Sequence, residues 1–226
     1  MKLNGTSSSL KDSDLIDIIG DEHVMSSVAT PLRDDAFAKS DEEKIAEIAF
    51  HFERIMDTLG LDLTDDSLRG TPRRVAKMYI QEIFSGLNPE NKPQVALFDN
   101  KYRYKEMLVE KNITVLSHCE HHFVPIVGVA HVAYISNGKV IGLSKINRIV
   151  QHFAKRPQVQ ERLTVQIAEE LKTLLETDDI AVVVDARHMC VSMRGVSDHA
   201  SSTVTSSYHG VFQNEEKRKE FLTYIG

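Results

Sequence analysis

The fold class is best inferred from the segment Val124-Pro125-Ile126-Val127-Gly128-Val129-Ala130-His131-Val132-Ala133-Tyr134-Ile135. Its β-branched and aromatic side chains favour a strand, and a similar segment, Met107 to Leu116, precedes it. Asn137-Gly138 then supplies a tight turn into Val140-Ile141-Gly142-Leu143. The sequence therefore predicts strands in antiparallel order at the centre of the chain.

Two helices are predicted ahead of these strands. Ser40-Asp41-Glu42-Glu43 matches a capping box, after which apolar residues recur at helical spacing as far as Gly60. Thr71-Pro72 has the cap-then-proline order of a helix start, and this second helix is expected to stop at Ser85-Gly86. Residues 1–39 are polar and are interpreted as a mobile arm with one short helix around residues 15–19.

The second half of the chain adds helices and then strands. Ser144 is expected to cap a helix that Pro157 restarts and that continues to about Leu175. The remaining predicted elements are two strands and a closing helix: Ile180 to Met193, Ser202 to Phe212 and Glu215 to Tyr224. This block order favours an α+β fold over a doubly wound α/β sheet. We expect one folded domain at residues 40–226, with a helical part at 40–90 and a core at 105–226.

Composition excludes several classes of protein. The chain has 226 residues, of which 42% are hydrophobic and 27% charged, as in ordinary globular domains. A net charge of −6 provides no global basic field for nucleic acid or an anionic membrane. No apolar run approaches the roughly 18 residues that a membrane-spanning helix needs, and the polar start lacks the apolar core of a signal peptide. We therefore expect a cytoplasmic protein that binds neither nucleic acid nor membrane.

Cysteine and histidine cluster in two places. The first is His118-Cys119-Glu120-His121-His122 and the second is His188-Met189-Cys190. Zinc prefers thiolate and imidazole ligands, and Cys119-x-x-His122 is a spacing at which one loop can present two of them, with Cys190 a third from a distant strand. Three protein ligands leave the fourth position for water, as in a catalytic site. Two alternatives stay open: a structural zinc completed by His118 or His188, and cysteines that are merely buried apolar residues.

Two basic pairs lie in the first turns of predicted helices. Lys145 and Arg148 follow Ser144, and Arg74 and Lys77 follow Thr71-Pro72. Cations beside free backbone N–H groups suit a phosphate. For each pair taken alone, a solvated helix face is the better explanation.

Gln160 and Glu161 open the next helix. The helix dipole favours a carboxylate in the first turn, and this effect alone can explain Glu161 without any binding function. A buried carboxylate can also accept two N–H bonds from the edge of a guanine, which adenine cannot offer. The residue pattern alone does not choose between these interpretations.

Together the motifs resemble the GTP cyclohydrolase I family. The segments that carry the resemblance are Asp65-Asp66-Ser67-Leu68-Arg69-Gly70-Thr71-Pro72-Arg73-Arg74-Val75-Ala76-Lys77-Met78-Tyr79, Cys119-Glu120-His121-His122-Phe123, Ile141-Gly142-Leu143-Ser144-Lys145-Ile146-Asn147-Arg148, Arg156-Pro157-Gln158-Val159-Gln160-Glu161-Arg162-Leu163-Thr164 and His188-Met189-Cys190. The match runs in order from about residue 42 to the C-terminus. The N-terminal arm and His118 lie outside the family pattern.

The resemblance implies the tunnel fold, a four-stranded antiparallel sheet with helices on one face, assembled into a homodecameric ring with active sites at subunit boundaries. It also implies one catalytic Zn²⁺ per subunit, bound by Cys119, His122 and Cys190, with His121 and His188 as proton donors and acceptors. The implied substrate contacts are Glu161 and Gln160 for guanine, Arg74, Lys77, Lys145, Arg148 and Arg194 for the triphosphate, and Ser144 near the ribose.

The reaction implied by the resemblance converts GTP and water to formate and 7,8-dihydroneopterin triphosphate, the committed step toward folate or tetrahydrobiopterin. Hydroxide formed on the zinc would attack C8 of guanine while His188 protonates N7, and His121 would assist opening of the ribose. One rival is another tunnel-fold enzyme acting on a purine or pterin. Such enzymes use a three-histidine metal site or a nucleophilic cysteine, and neither pattern matches this chain. The other rival is a GTP-binding protein with structural zinc.

Overall fold

The computed structural model describes residues 27–226, in which helices and strands follow one another in blocks as the sequence predicts. The helix expected around residues 15–19 lies outside this range. The α-helices of the described part are α1 (Asp41–Thr58), α2 (Thr71–Met78), α3 (Leu143–Ala154), α4 (Gln160–Leu175), α5 (Met189–Ser192) and α6 (Glu215–Ile225). Its strands are β1 (Leu97–Asp99), β2 (Leu108–Cys119), β3 (Pro125–Tyr134), β4 (Lys139–Ile141), β5 (Pro157–Gln158), β6 (Ile180–His188) and β7 (Thr203–Tyr208).

The opening helical pair begins with the capping box that the sequence predicts. The Ser40 hydroxyl accepts from the backbone N–H of Glu43, and the Glu43 carboxylate accepts from the backbone N–H of Ser40 at 2.7 Å. The second helix differs in detail, because its N-cap is Gly70 and Thr71 is already helical. After α2 the chain widens into a π-helical turn, Tyr79–Ile83, and then tightens at Ser85–Leu87. The expected stop near residues 85 and 86 is therefore correct, although the helix is not regular throughout.

Five strands form the main sheet in the order β5-β2-β3-β6-β7. The four longer strands are antiparallel, and the two-residue β5 runs parallel to the end of β2, opposite His118 and Cys119. The Asn137-Gly138 turn does not fold β4 back onto β3, and the expected pairing there is wrong. Strand β3 already has β2 and β6 on its two edges, so β4 leaves the sheet and pairs with β1.

Three smaller predictions about element ends are also wrong. The N-cap of α3 is Gly142, and Ser144 is the second helical residue without a capping bond. Pro157 does not restart a helix but lies in β5, where its main chain pairs with β2. Strand β6 ends at His188, so Cys190 lies in the short helix α5 and not in an alternating strand.

The hydrophobic core lies between the sheet and the two helices α3 and α4, which pack on one face as the tunnel fold implies. Strand β6 shows the alternation that a two-faced sheet requires, because Val182 and Val184 face these helices. Ala181 and Val183 point to the opposite face, where they meet Phe221 of α6. The closing helix therefore covers part of the second face.

Within the described residues, two of the longer strands of the main sheet have open edges. The outer edge of β7 has no neighbouring strand, and β2 has one on its outer side only at His118 and Cys119. Leu116 and Val204 on these edge strands are each about three-fifths exposed. In the part of the chain described here, no helix combines the length and apolarity needed to cross a membrane.

Candidate active site

Cys119, His122 and Cys190 converge although they come from three different elements. Their ligand atoms, two Sγ atoms and one imidazole nitrogen, all lie within 4.8 Å of one another. Cys119 ends β2, His122 lies in the following turn, and Cys190 lies in α5. Two thiols and an imidazole are a donor set that suits zinc, and the spacing is close enough for one ion. The ligand set implied by the resemblance is therefore present as a group that can bind a metal.

A tight turn presents two of these ligands. The backbone N–H of Cys119 donates to Val124 O at 2.9 Å, and that of Phe123 donates to Cys119 O at 2.8 Å. Phe123 has φ 52°, in the left-handed region that β-carbon-bearing residues rarely adopt. Its ring packs edge-on against Phe84 at 5.2 Å and Tyr79 at 6.5 Å between centroids. These contacts attach the metal-binding turn to the irregular turn after α2.

The neighbours of the metal group are polar. The Arg194 guanidinium donates to His122 Nε2 at 3.0 Å, and Nδ1 of His121 lies 3.6 Å from the Sγ of Cys119. Burial and the adjacent Cys119 raise the pKa of the Cys190 thiol above its usual value. A bound cation would reverse this effect, because metal binding displaces the thiol protons.

His188 lies beside the group and is held by Gln160. His188 Nε2 is 2.7 Å from Gln160 Oε1, and the Gln160 side-chain nitrogen donates to Val184 O at 3.0 Å and Thr203 O at 2.8 Å. Backbone carbonyls only accept, so they fix the orientation of this amide. The Gln160 oxygen must then accept, and Nε2 of His188 carries the hydrogen. Burial lowers the pKa of His188 below its usual value.

Two histidines that could complete a four-ligand site, His118 and His188, make other contacts. Neither His118 nor His188 belongs to the group of close ligand atoms among the described residues. His118 packs its ring against Phe84 at 5.5 Å instead, and His188 faces Gln160. Among the described residues, the group that could hold a metal therefore comprises three side chains, one fewer than a closed tetrahedral site needs.

The residues assigned to the triphosphate contact different neighbours within this chain. Lys145 donates to Gln94 O at 2.9 Å, and Arg148 lines a separate cavity of about 270 Å³. Arg74 donates to Ser67 O and Thr71 Oγ1, both at 2.9 Å, so its contacts are local to the start of α2. Of the five cations, Arg194 is the one that the structure places in contact with a metal ligand.

Glu161 is exposed in the first turn of α4, between two residues whose side chains are buried. Gln160 turns inward to His188, and Arg162 turns inward to Glu120 in the metal-binding turn. The sequence analysis did not single out Glu120 or Arg162. They are 42 residues apart, and no local pattern indicates that they meet.

Comparisons with known proteins agree with this geometry. The family model described as GTP cyclohydrolase I matches residues 48–226. A GTP cyclohydrolase 1 of Flavobacterium johnsoniae is 59% identical over 216 residues, covering 96% of this chain and 97% of the relative. A GTP cyclohydrolase 1 of Aeromonas salmonicida is 56% identical over 188 residues, covering 83% of this chain and 86% of the relative.

Among solved structures, an archaeosine synthase QueF-Like in the apo form matches with a TM-score of 0.39 and 16% identity, over 46% of this chain and 94% of that chain. The sequence relatives cover far more of the chain than this structure does. The family model spans the metal group, the first turn of α4 and His188 alike. On that match and on those identities, the chain belongs to the GTP cyclohydrolase I family.

Proposed function

We propose that this chain is an enzyme that converts GTP and water into formate and 7,8-dihydroneopterin triphosphate. The observation that carries the proposal is the convergence of Cys119, His122 and Cys190 beside His188, inside the region matched by the family model. The reaction needs an activated water at C8 of the guanine and groups that move protons at neighbouring nitrogens. The site offers ligands for the first requirement and histidines for the second.

The metal in this proposal is zinc, one ion per chain. Bound to two thiolates and one imidazole, zinc acidifies a water molecule, so that hydrolysis can proceed near neutral pH. The protein's own part is to keep the three ligand atoms together on the short turn after β2 and on α5.

His188 would donate a proton to N7 of the guanine as the imidazole ring opens. Its Nε2–H is occupied by Gln160 Oε1, so the proton given to N7 would come from Nδ1, which carries a hydrogen only when both nitrogens of His188 are protonated. In this proposal Gln160 assists guanine turnover by holding His188, since its amide nitrogen donates to the main-chain carbonyls of Val184 and Thr203. His121 would assist the opening of the ribose, near which Ser144 would also lie.

Glu161 would bind the guanine base. It is exposed while its neighbours Gln160 and Arg162 are buried, so its carboxylate is available to a ligand. A carboxylate can accept from both N1–H and the 2-amino group of guanine, and this pair distinguishes guanine from adenine. Glu161 follows Gln160, which contacts His188, so a base held by Glu161 would lie close to that histidine.

The triphosphate site would be completed by a second subunit of a homodecameric ring. Arg74 and Lys77 are exposed on α2. Arg74 donates to Ser67 O, whereas Lys145 donates to Gln94 O, so the two cations have different partners within this chain. The open edges of β2 and β7, with exposed Leu116 and Val204, offer surfaces for neighbouring subunits. In the ring, Arg74 and Lys77 would reach the Lys145, Arg148 and Arg194 of the adjacent chain.

The direct test is turnover of GTP with and without a chelator, following formate and the fluorescence of the oxidised pterin. We expect both products, and we expect the chelator to abolish both. Formate without pterin would contradict the part assigned to His121. Neither product from folded, zinc-loaded protein would overturn the proposed reaction.

A mixing experiment tests the shared site. Arg74→Ala and Cys119→Ser are each expected to be inactive, because each damages a different half of the site. When the two variants are dissociated and reassembled together, some sites receive both intact halves and activity returns. Failure of mixed rings to regain activity would contradict a site built across the subunit boundary.

A further inference from the structure

A buried ion pair connects the metal-binding turn to α4. Arg162 donates from Nη1 to Oε2 of Glu120 and from Nη2 to Oε1, the second bond at 3.3 Å. The Arg162 side chain is 5% exposed and that of Glu120 is 18% exposed. The pair is thus a two-pronged contact largely shielded from water, which is the geometry in which Arg and carboxylate orient each other most strictly.

Stability alone does not account for such a pair. Removing two charges from water offsets most of their mutual attraction, so a buried ion pair is seldom better than apolar residues of similar size. The ion pair does fix the relative orientation of the two side chains, because the guanidinium must make both hydrogen bonds at once. A function in fixing geometry is therefore the better explanation for Glu120 and Arg162.

Glu120 lies in the turn whose geometry sets the positions of two candidate metal ligands. It lies between Cys119 and His122, the two metal ligands of the turn. Its backbone N–H donates to Gln158 O at 3.0 Å, which holds the main chain at that point. The side-chain pair adds a second attachment, from the turn to α4.

Helix α4 is also the element that relates the turn to the third ligand. It packs against β6, and β6 leads directly into α5, which carries Cys190. Arg162 therefore ties the Cys119 and His122 turn to the same packed unit that positions Cys190. Loss of this ion pair would leave all three ligands present, but their ligand atoms would less often lie close enough together to bind one ion.

We propose that Arg162 is a positioning residue of the metal centre, holding the turn through Glu120 so that Cys119 and His122 stay aligned with Cys190. This inference rests on the zinc site of the proposed function. Its measurable consequence is the rate at which zinc leaves the protein. Removing partners that orient metal ligands typically changes metal affinity by about 10- to 100-fold.

The test measures zinc transfer from the loaded full-length protein to a chromogenic chelator. Glu120→Gln, Arg162→Met and the double variant are compared with the wild type at one protein concentration. We expect each single variant to release zinc about 10 to 100 times faster. The double variant should release it about as fast as the singles, because both substitutions remove the same contact.

The matched control is Glu170→Gln, which removes another ion pair of α4. The Glu170 carboxylate accepts from Lys92 Nζ at 2.8 Å, so its ion pair involves neither the turn nor α5. Its zinc release is expected to equal that of the wild type. Thermal unfolding of every variant is recorded, so that a faster release can be separated from a general loss of stability.

Glu120→Gln decides the outcome if Arg162→Met does not fold, since glutamine keeps the size of the side chain. Zinc release from Glu120→Gln at the wild-type rate would overturn the inference and leave the proposed function intact. A wild-type chain that takes up no zinc would overturn the proposed metal site, and this inference with it.

Discussion

The Nε2 of His188 lies 2.7 Å from the Oε1 of Gln160, at the point where α4 meets the end of β6. The same glutamine is 1% exposed, and its amide nitrogen is fixed by the carbonyls of Val184 and Thr203. One side chain therefore links a proposed proton donor to the main chain of two strands. This contact predicts how a substitution of Gln160 changes kcat and KM.

Gln160→Met should lower kcat by about 10²-fold with little change in KM for GTP, because a misoriented His188 damages the chemical step and not the binding of the base. Steady-state kinetics with GTP measures both constants. Gln166→Met is the matched control, since Gln166 is also a buried glutamine of α4 but bonds to Gln158 and Val28 O. A large rise in KM for Gln160→Met alone would instead indicate direct contact with guanine.

Cys119→Ser should lose zinc and turnover together, because the remaining two ligands cannot hold the ion as tightly. Metal content by atomic spectrometry and GTP turnover are measured on the same preparation. His118→Ala, one residue away, should keep one zinc per chain because His118 is not in the ligand group. An active Cys119→Ser protein without zinc would contradict the ligand assignment.

Glu161→Ala should weaken GTP binding by about 10²-fold or more while leaving folding unchanged, since the side chain is exposed. The sharper measurement compares GTP with inosine triphosphate, which lacks the 2-amino group. The wild type should discriminate strongly between them, and Glu161→Ala should not. Retained discrimination in the variant would place recognition of the 2-amino group elsewhere.

Lys145→Ala should raise KM for GTP, and the increase should shrink as salt rises, because screening weakens the wild-type attraction to the triphosphate. KM is measured across a series of KCl concentrations. Lys219→Ala serves as the control, because Lys219 is an exposed lysine of α6 paired with Glu215. Equal effects of the two substitutions would show that Lys145 contributes only general charge.

His152 should make stability depend on pH. Burial first, and then the cations Arg156 and Lys92, lower the pKa of His152 to about 4 in the folded protein. Between about pH 6.5 and 4 the unfolded chain is therefore protonated at His152 while the folded chain is not, so stability falls as the pH drops, by up to about 1.4 kcal/mol per unit.

Denaturant unfolding at fixed protein concentration and several pH values measures this slope. In His152→Gln this slope should become smaller, because glutamine cannot be protonated. Glutamine still offers an acceptor to Arg156 Nη2, which lies 2.8 Å from the His152 Nε2. Identical slopes in the two proteins would contradict the assignment.

Local signals and shared motifs allowed much of this site to be predicted. The capping box at Ser40 and the helical spacing after it depend on neighbouring residues, so α1 was predicted closely. The candidate ligands Cys119 and His122 are also close together in sequence, and the second Cys–His cluster indicated Cys190 as a third; the structure brings the three together. Helix α5 around Cys190 was missed, because four residues carry no usable periodicity.

The contacts that orient the site could not be predicted, because they join distant segments. Gln160 and His188 are 28 residues apart, and Glu120 and Arg162 are further apart still. The partner of β4 was also wrong, since a tight turn predicts a hairpin only when the preceding strand has a free edge. Such outcomes depend on which edges and faces are already occupied, and a linear pattern does not contain that information.

The open edges of β2 and β7 also bear on how newly made chains reach the native state. While it is uncovered, each edge is a row of unpaired amides on which a foreign strand can add, and such addition leads to aggregates. Assembly of the proposed ring and aggregation would both need an encounter between chains, so crowding would accelerate the two together. For the proposed ring, productive biogenesis would therefore depend on how quickly native edges find one another, and chaperones that shield them would favour it.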